Sequence, residues 1–140
     1  MSPQNSVPRT EAPEESNVRL LIENWAQAVR NEDYAGILAY HSTELLMFDV
    51  PPPFESKGLA AYRKTWDLFY TMQPRPIRFD IQHMDVVAGS DVAFVSASMQ
   101  CDETDENGKR TNLDFRLTVG LRKIDGRWTI LHEHHSIPAT

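Results

Sequence analysis

TNLDFRLTVGLRKIDGRWTILHEHHS, residues 111–136, decides the fold. Leu113, Phe115, Leu117, Val119 and Leu121 alternate with Asn112, Asp114, Arg116, Thr118 and Gly120. A period of two gives a strand with one apolar and one polar face. Asp125-Gly126 is a tight-turn dipeptide, so a second strand runs back from it and ends in the cluster His132-Glu133-His134-His135. A sheet with a single apolar face needs a cover, and helices must supply it.

Upstream, turn signals at Gly89-Ser90-Asp91 and Asn107-Gly108 divide residues 77–137 into four antiparallel strands. In the first of them Ile77, Phe79 and Ile81 alternate and the phase then slips to Met84 and Val86, which predicts a bulge near Gln82–His83.

Further back the period changes to that of helices. Val18, Leu21, Ile22, Trp25 and Val29 form one apolar stripe, with Ser16 as its expected N-cap. A short second helix carries Tyr34, Ile37, Leu38 and Tyr40. Leu45–Val50 reads as a short strand stopped by Pro51, Pro52 and Pro53, whose stiff loop can join no ladder. A third helix runs from Lys57 to about Met72 and is ended by Pro74 and Pro76. Residues 1–15, rich in Pro, Ser, Glu and Asn, have almost nothing to bury and read as a mobile tail before a domain at 16–140.

The fold class expected from this order is α+β. Three N-terminal helices cover one face of a bent, mainly antiparallel sheet, making a cone whose open mouth is the expected pocket.

A chain of 140 residues is one domain's worth, and 41% hydrophobic with 24% charged residues is an ordinary globular balance. Net charge is −6; Arg9 against Glu11, Glu14 and Glu15 places −2 in residues 1–15 and −4 on the rest. An acidic body lacks the basic face of a nucleic-acid phosphate tracker. Cys101 is the single cysteine, so no internal disulfide forms. No apolar run reaches transmembrane length and no signal-like segment is present, which reads as a soluble, cytoplasmic protein with no membrane partner.

This element order, the FDVPPP stretch at 48–53 and the terminal GLRKIDGRWTILHEHHS at 120–136 resemble the nuclear transport factor 2-like superfamily, and within it SnoaL-like and ketosteroid-isomerase-like proteins. The terminal strand pair also resembles the association domain of calcium/calmodulin-dependent protein kinase II. The likeness spans roughly residues 16–138. It implies the cone-shaped, cystatin-like fold, a small-molecule pocket, a homodimer and no cofactor. Because the superfamily hosts isomerases, cyclases and assembly modules, it implies no single reaction.

Carried over residue by residue, the resemblance puts Asp49 where ketosteroid isomerases hold their proton-shuttling carboxylate. Trp25 stands where those enzymes place a tyrosine donor, and Val119 where they place a protonated aspartic acid. In those isomerases an apolar site keeps that acid neutral so that it can donate a hydrogen bond. A valine cannot donate, so ketosteroid isomerisation by that route is not expected. Of the positions that bind acids in the kinase association domain, Tyr62, Tyr70, Met99, Val119 and His135 here, only Tyr70 and His135 keep a comparable character. The expected ligand is a small, largely apolar organic molecule carrying one polar group.

Asp49, set among Phe48, Val50 and three prolines, is the candidate general base; the plain alternative is a loop aspartate capping turn amides. His132 and His134 share one strand face, and Glu133 and His135 the other. A His-x-His pair can hold a metal, but no third ligand stands out, and hydrogen-bonded strand histidines are the simpler reading. A two-residue Asp125-Gly126 turn would set Val119 opposite His132 and turn His132 and His134 inward. A three-residue turn would set Val119 opposite Leu131 and Phe115 opposite His135. The second register agrees with the association-domain resemblance and is adopted, leaving Trp128, Ile130, His132 and His134 outside as the homodimer face.

The site expected is therefore Asp49 with His135, lined by Trp25, Tyr62, Trp66, Met99 and Val119. It serves a SnoaL-like protein, either an isomerase or polyketide-cyclase-like enzyme taking a proton next to a carbonyl, or a non-catalytic binding or oligomerisation module.

Overall fold

The computed structural model describes residues 10–139, and most of the expected tail, residues 1–9, lies outside them. The element order is α1 (Pro13–Arg30), α2 (Tyr34–Leu38), β1 (His41–Phe48), β2 (Ser56–Lys57), α3 (Gly58–Met72), β3 (Phe79–Ala88), β4 (Val92–Thr104), β5 (Arg110–Ile124) and β6 (Arg127–Ser136). The six strands form one sheet in the order β2-β1-β6-β5-β4-β3. β1 runs parallel to β6 and every other pairing is antiparallel. The α+β expectation holds, with the sheet mixed and open rather than closed.

The N-terminal boundary moves. α1 starts at Pro13 with Ala12 as N-cap, so residues 13–15 belong to the helix and Ser16 is not its cap. Proline suits a first helical position because its missing N–H would have no partner there. Glu15 is buried and reaches back to the Ala12 N–H at 3.1 Å. Glu14 ties the helix start to the sheet, accepting from Lys123 Nζ at 2.6 Å and from Trp128 Nε1 at 3.1 Å.

The α1 stripe is the core seam: Val18, Ile22, Trp25 and Val29 are at most 1% exposed. Burying each such side chain contributes about 1.5–3 kcal/mol. They meet the alternating inward residues of β4 (Val95, Met99) and β5 (Leu117, Val119), all at most 1% exposed. β1 begins four residues earlier than expected, at His41 rather than Leu45. Its parallel pairing with β6, from His41 opposite Ile130, captures residues whose own pattern is too polar to read as strand.

The β3 bulge lies where expected, the register shifting between Ile81 and His83. A second irregularity sets the site and corrects the adopted register. Asp125 and Gly126, at φ 51° and 78°, form a two-residue turn of the left-handed kind, with Ile124 opposite Arg127. That register runs to Leu121 opposite Ile130; then Gly120 pairs with His132, leaving Leu131 as the extra residue. Val119 therefore faces Glu133, and Leu117, not Phe115, faces His135.

Glu133 and His135 do point inward, as adopted, but the bulge achieves it and not the turn. The same geometry overturns the outer-face assignment of Trp128 and Ile130, which are buried at 8% and 0% exposure. His134 remains exposed and His132 half-buried on the outer side.

Deleting Leu131 should abolish the bulge and turn Glu133 and His135 to the outer face. The expected outcome is loss of cooperative unfolding in urea and collapse of near-ultraviolet dichroism. Native-like unfolding of the deletion variant would contradict the assignment of Leu131 as the residue that sets the inward face.

Candidate functional site

Glu133 has no exposed surface and sits where three elements converge on β6. From α3, the Tyr62 hydroxyl donates to Glu133 Oε2 at 2.7 Å; from α1, Trp25 Nε1 donates to the Tyr62 oxygen at 3.0 Å. From β1, His41 Nε2 contacts the same Oε2. On β6 itself, two residues along, His135 Nε2 meets Oε1 at 3.0 Å. A buried carboxylate survives only when paired and hydrogen-bonded, and this one has partners on both oxygens.

The charges follow from that arrangement. Burial pushes the Glu133 carboxyl up, but the positive field of His41 and hydrogen bonds from His135 and His41 outweigh it and hold it below its ordinary 4.5. Burial pushes His135 down, yet the hydrogen bond and charge of Glu133, with the charge of Asp49 added, raise it above its ordinary 6.5. Burial and the Glu133 charge raise Tyr62, which stays a neutral donor.

A cavity of about 150 Å³ opens beside this network. Its walls are mainly apolar, with Trp66, Phe69, Phe79, Phe115 and the His135 ring among them. Asp49, at the end of β1, lines it too, and its Oδ1 accepts from the Val50 N–H at 2.8 Å. Cys101 is a wall residue whose thiol burial pushes up to about 12, so it presents S–H and not thiolate.

Of the expected site residues, then, Asp49, His135 and Trp66 come together on one cavity. Trp25 and Tyr62, at 1% and 0% exposure, stand behind it as the support of Glu133 and do not form its wall. Met99 and Val119 are core residues outside the cavity lining. Trp66 faces both ways. Its ring lines the cavity, while its buried Nε1, without a partner of normal geometry, lies close enough to the Tyr62 oxygen to favour the ionised form.

Sequence reasoning placed Glu133 beside His135 on the inner face but gave it no role, and it missed His41 altogether. His41 lies 92 residues from Glu133 in sequence. It carried no local signal, since the strand it opens was expected only from Leu45. Its Nδ1 is buried with no hydrogen-bond partner among the described residues.

With Nε2 held by Glu133, the His135 atom left for a ligand is Nδ1, which has no partner among the described residues. Protonated, His135 offers that N–H to an oxygen in the cavity; Asp49 offers an acceptor on the same cavity. Among the described residues no three His, Cys, Asp or Glu side chains are grouped to hold a metal ion. No helix there is long and apolar enough to cross a membrane.

The network makes stability depend on pH in a defined direction. His135, raised on folding, contributes fully below pH 6.5 and loses its contribution as pH rises through its folded value. Glu133, depressed on folding, contributes fully above pH 4.5 and loses its contribution as pH falls through its folded value. The difference in melting temperature between wild type and Glu133→Gln should therefore be greatest between pH 4.5 and 6.5 and shrink on the alkaline side. Within that window the substitution should cost about 3–5 kcal/mol, the penalty for breaking a buried charged group's pairing. A difference that grows above pH 6.5 would reverse the assigned direction for His135.

Among functionally curated proteins no match is found. Among solved structures, an NTF2-like protein of unknown function from Pseudomonas putida KT2440 is 34% identical, with a TM-score of 0.81 over 93% of this chain and 90% of that one. A ketosteroid isomerase-like protein from Erwinia carotovora atroseptica is similar in fold at 17% identity and TM-score 0.74, over 90% of this chain and 97% of that one. So is the association domain of C. elegans CaMKII, at 18% identity and TM-score 0.69, over 89% and 95% of the two chains. The SnoaL-like domain profile matches residues 18–140, nearly the whole cone, and the chain belongs to that family.

Proposed function

We propose that the protein binds a small, largely apolar carbonyl compound and promotes proton transfer next to the carbonyl. The observation that supports this reading is the meeting of Asp49 and His135 on one apolar cavity, with His135 held by Glu133 through Nε2. Asp49 takes the proton from the carbon beside the carbonyl, and the C–H electrons form the carbon–carbon double bond of an enolate. His135 Nδ1–H donates to the oxygen as its charge develops; return of a proton from Asp49 to the same carbon completes an exchange, and where a β,γ double bond extends the enolate to a dienolate, return to the γ carbon completes an isomerisation. Apolar walls favour the reaction because an oxyanion and its donor interact more strongly away from water. Every group the scheme needs is a side chain.

The rival reading, a binding or assembly module, is favoured by the outer sheet face. Val87, Val92 and Phe94 are each about half exposed there, at 51%, 54% and 51%. Val87 lies opposite Phe94, Phe94 opposite Gly120 and Gly120 opposite His132, a single cross-strand row. Apolar side chains beside a glycine make a flat patch suited to a second copy of the chain.

Two measurements test these readings. Deuterium exchange into a series of ketones, from acetone to steroid size, should be accelerated by wild type and fall at least about a hundredfold in Asp49→Asn. Exchange that persists in Asp49→Asn places the base elsewhere; saturable binding with no exchange over buffer selects the non-catalytic reading. Light scattering should give twice the 16.0 kDa chain mass for wild type and 16.0 kDa for Phe94→Glu. A wild-type mass of 16.0 kDa at micromolar concentration would remove the homodimer.

A further inference from the structure

The cavity's size and wall chemistry define its guest more narrowly than "apolar". Its volume, about 150 Å³, is that of an engineered protein cavity known to hold benzene, on the order of one six-membered ring. Two fused rings overfill such a space, and a four-ring skeleton would have to stand almost entirely outside it.

One wall is a packed cluster of aromatic side chains, in which Trp66 and Phe79 also meet directly at 5.6 Å and 80°. Trp66 meets Phe69 at 5.2 Å and 81°, and Phe69 meets Phe79 at 5.9 Å and 81°, both edge to face. Phe79 meets Phe115 at 5.7 Å, tilted by 39°. Phe115 stacks on the His135 ring at 5.8 Å and 13°, and His135 returns to Trp66 at 6.2 Å and 68°. All five rings line the cavity. A flat guest with a polarised edge can extend this cluster edge to face, whereas a saturated ring of equal size gains only area.

Polarity is confined to few wall residues. Thr65 Oγ1 is spent on the Tyr62 carbonyl at 2.6 Å; His135 Nδ1–H and the Asp49 carboxylate remain for the guest's oxygen and its neighbouring C–H, and Gln73, whose buried Oε1 has no partner among the described residues, adds an acceptor to the wall.

We infer that the ligand is a monocyclic aryl ketone, or a monocyclic compound of the same flat, oxygenated kind, its ring against the aromatic cluster and its carbonyl oxygen on His135. This deepens the carbonyl-pocket reading and rests on it. It departs from the size of substrate that resemblance to steroid- and polyketide-processing proteins would suggest.

The test uses full-length protein and four probes: acetophenone, cyclohexyl methyl ketone, 2-acetylnaphthalene and progesterone. Binding is read by NMR from the His135 ring and Trp66 indole signals, assigned with His135→Gln and Trp66→Phe. Acetophenone should shift both signals saturably and bind about two- to tenfold tighter than cyclohexyl methyl ketone, the increment for aromatic contact. 2-Acetylnaphthalene should bind at least about tenfold more weakly than acetophenone, and progesterone should leave both signals unmoved. Leu113→Phe, which adds volume at a cavity wall residue, should lose acetophenone binding while keeping wild-type chemical shifts elsewhere.

If the two-ring or four-ring probe binds as tightly as acetophenone and moves the same two signals, the size inference is overturned and the carbonyl pocket stands. If cyclohexyl methyl ketone binds as well as acetophenone, the aromatic cluster does not select the guest. If no probe moves His135, the pocket reading falls with the inference.

Discussion

A carboxylate with no exposed surface, Glu133, is the constraint on which the rest of the structure depends. Unpaired in a protein interior it would be protonated or the fold would open, so its partners must be delivered from elsewhere in the chain. α1 brings Trp25, α3 brings Tyr62, β1 brings His41 and β6 brings His135. α1, β1 and α3 all lie between Pro13 and Met72, whereas β6 begins only at Arg127. The parallel pairing of β1 on β6 is what carries His41 to the carboxylate. The extra residue at Leu131 is what turns the carboxylate inward at all. Topology, register and electrostatics are thus one requirement seen at three scales.

The requirement extends into the cavity. Because Glu133 takes Nε2 of His135, the imidazole cannot rotate freely or choose its tautomer, and its other nitrogen becomes the group available to a ligand. The field of the same carboxylate keeps that nitrogen protonated over a wider pH range. A donor fixed in place before the ligand arrives needs no reorganisation when charge develops on the ligand.

Much of the fold was legible because long periodic segments report their own burial. The α1 stripe and the β5 alternation name the residues that the structure buries, and the slip after Ile81 marks the β3 bulge. The second bulge was not legible. On β6, Trp128, Ile130, Glu133 and His135 face inward, and the step from 130 to 133 breaks the period without a proline or glycine to announce it. Gly120, opposite His132 at that step, does not mark it either, since a Cβ added there would make only an ordinary contact with His132 Cβ at 3.7 Å. The α1 start was misplaced for a different reason. The acids at 14 and 15 look solvated in isolation, yet Glu14 meets Lys123 and Trp128 more than a hundred residues away. Asp49 and His135 could be named from sequence, but the support that gives His135 its direction could not, since His41 is local in neither sequence nor pattern.

The arrangement also bears on why one fold serves both catalysts and binders. The buried network stabilises the cone whether or not anything enters the cavity, since each of its hydrogen bonds closes within the protein. The cavity wall carries a donor and an acceptor that the fold itself leaves uncommitted, at His135 and Asp49. Loss of Asp49 would break its hydrogen bond from the Val50 N–H and remove the proposed base. On the proposed reading, a reaction can be gained or lost at the position of Asp49 while the core stays intact. Chemistry is thereby separable from folding on the β1 side of the cavity and inseparable from it on the β6 side, where His135 belongs to both.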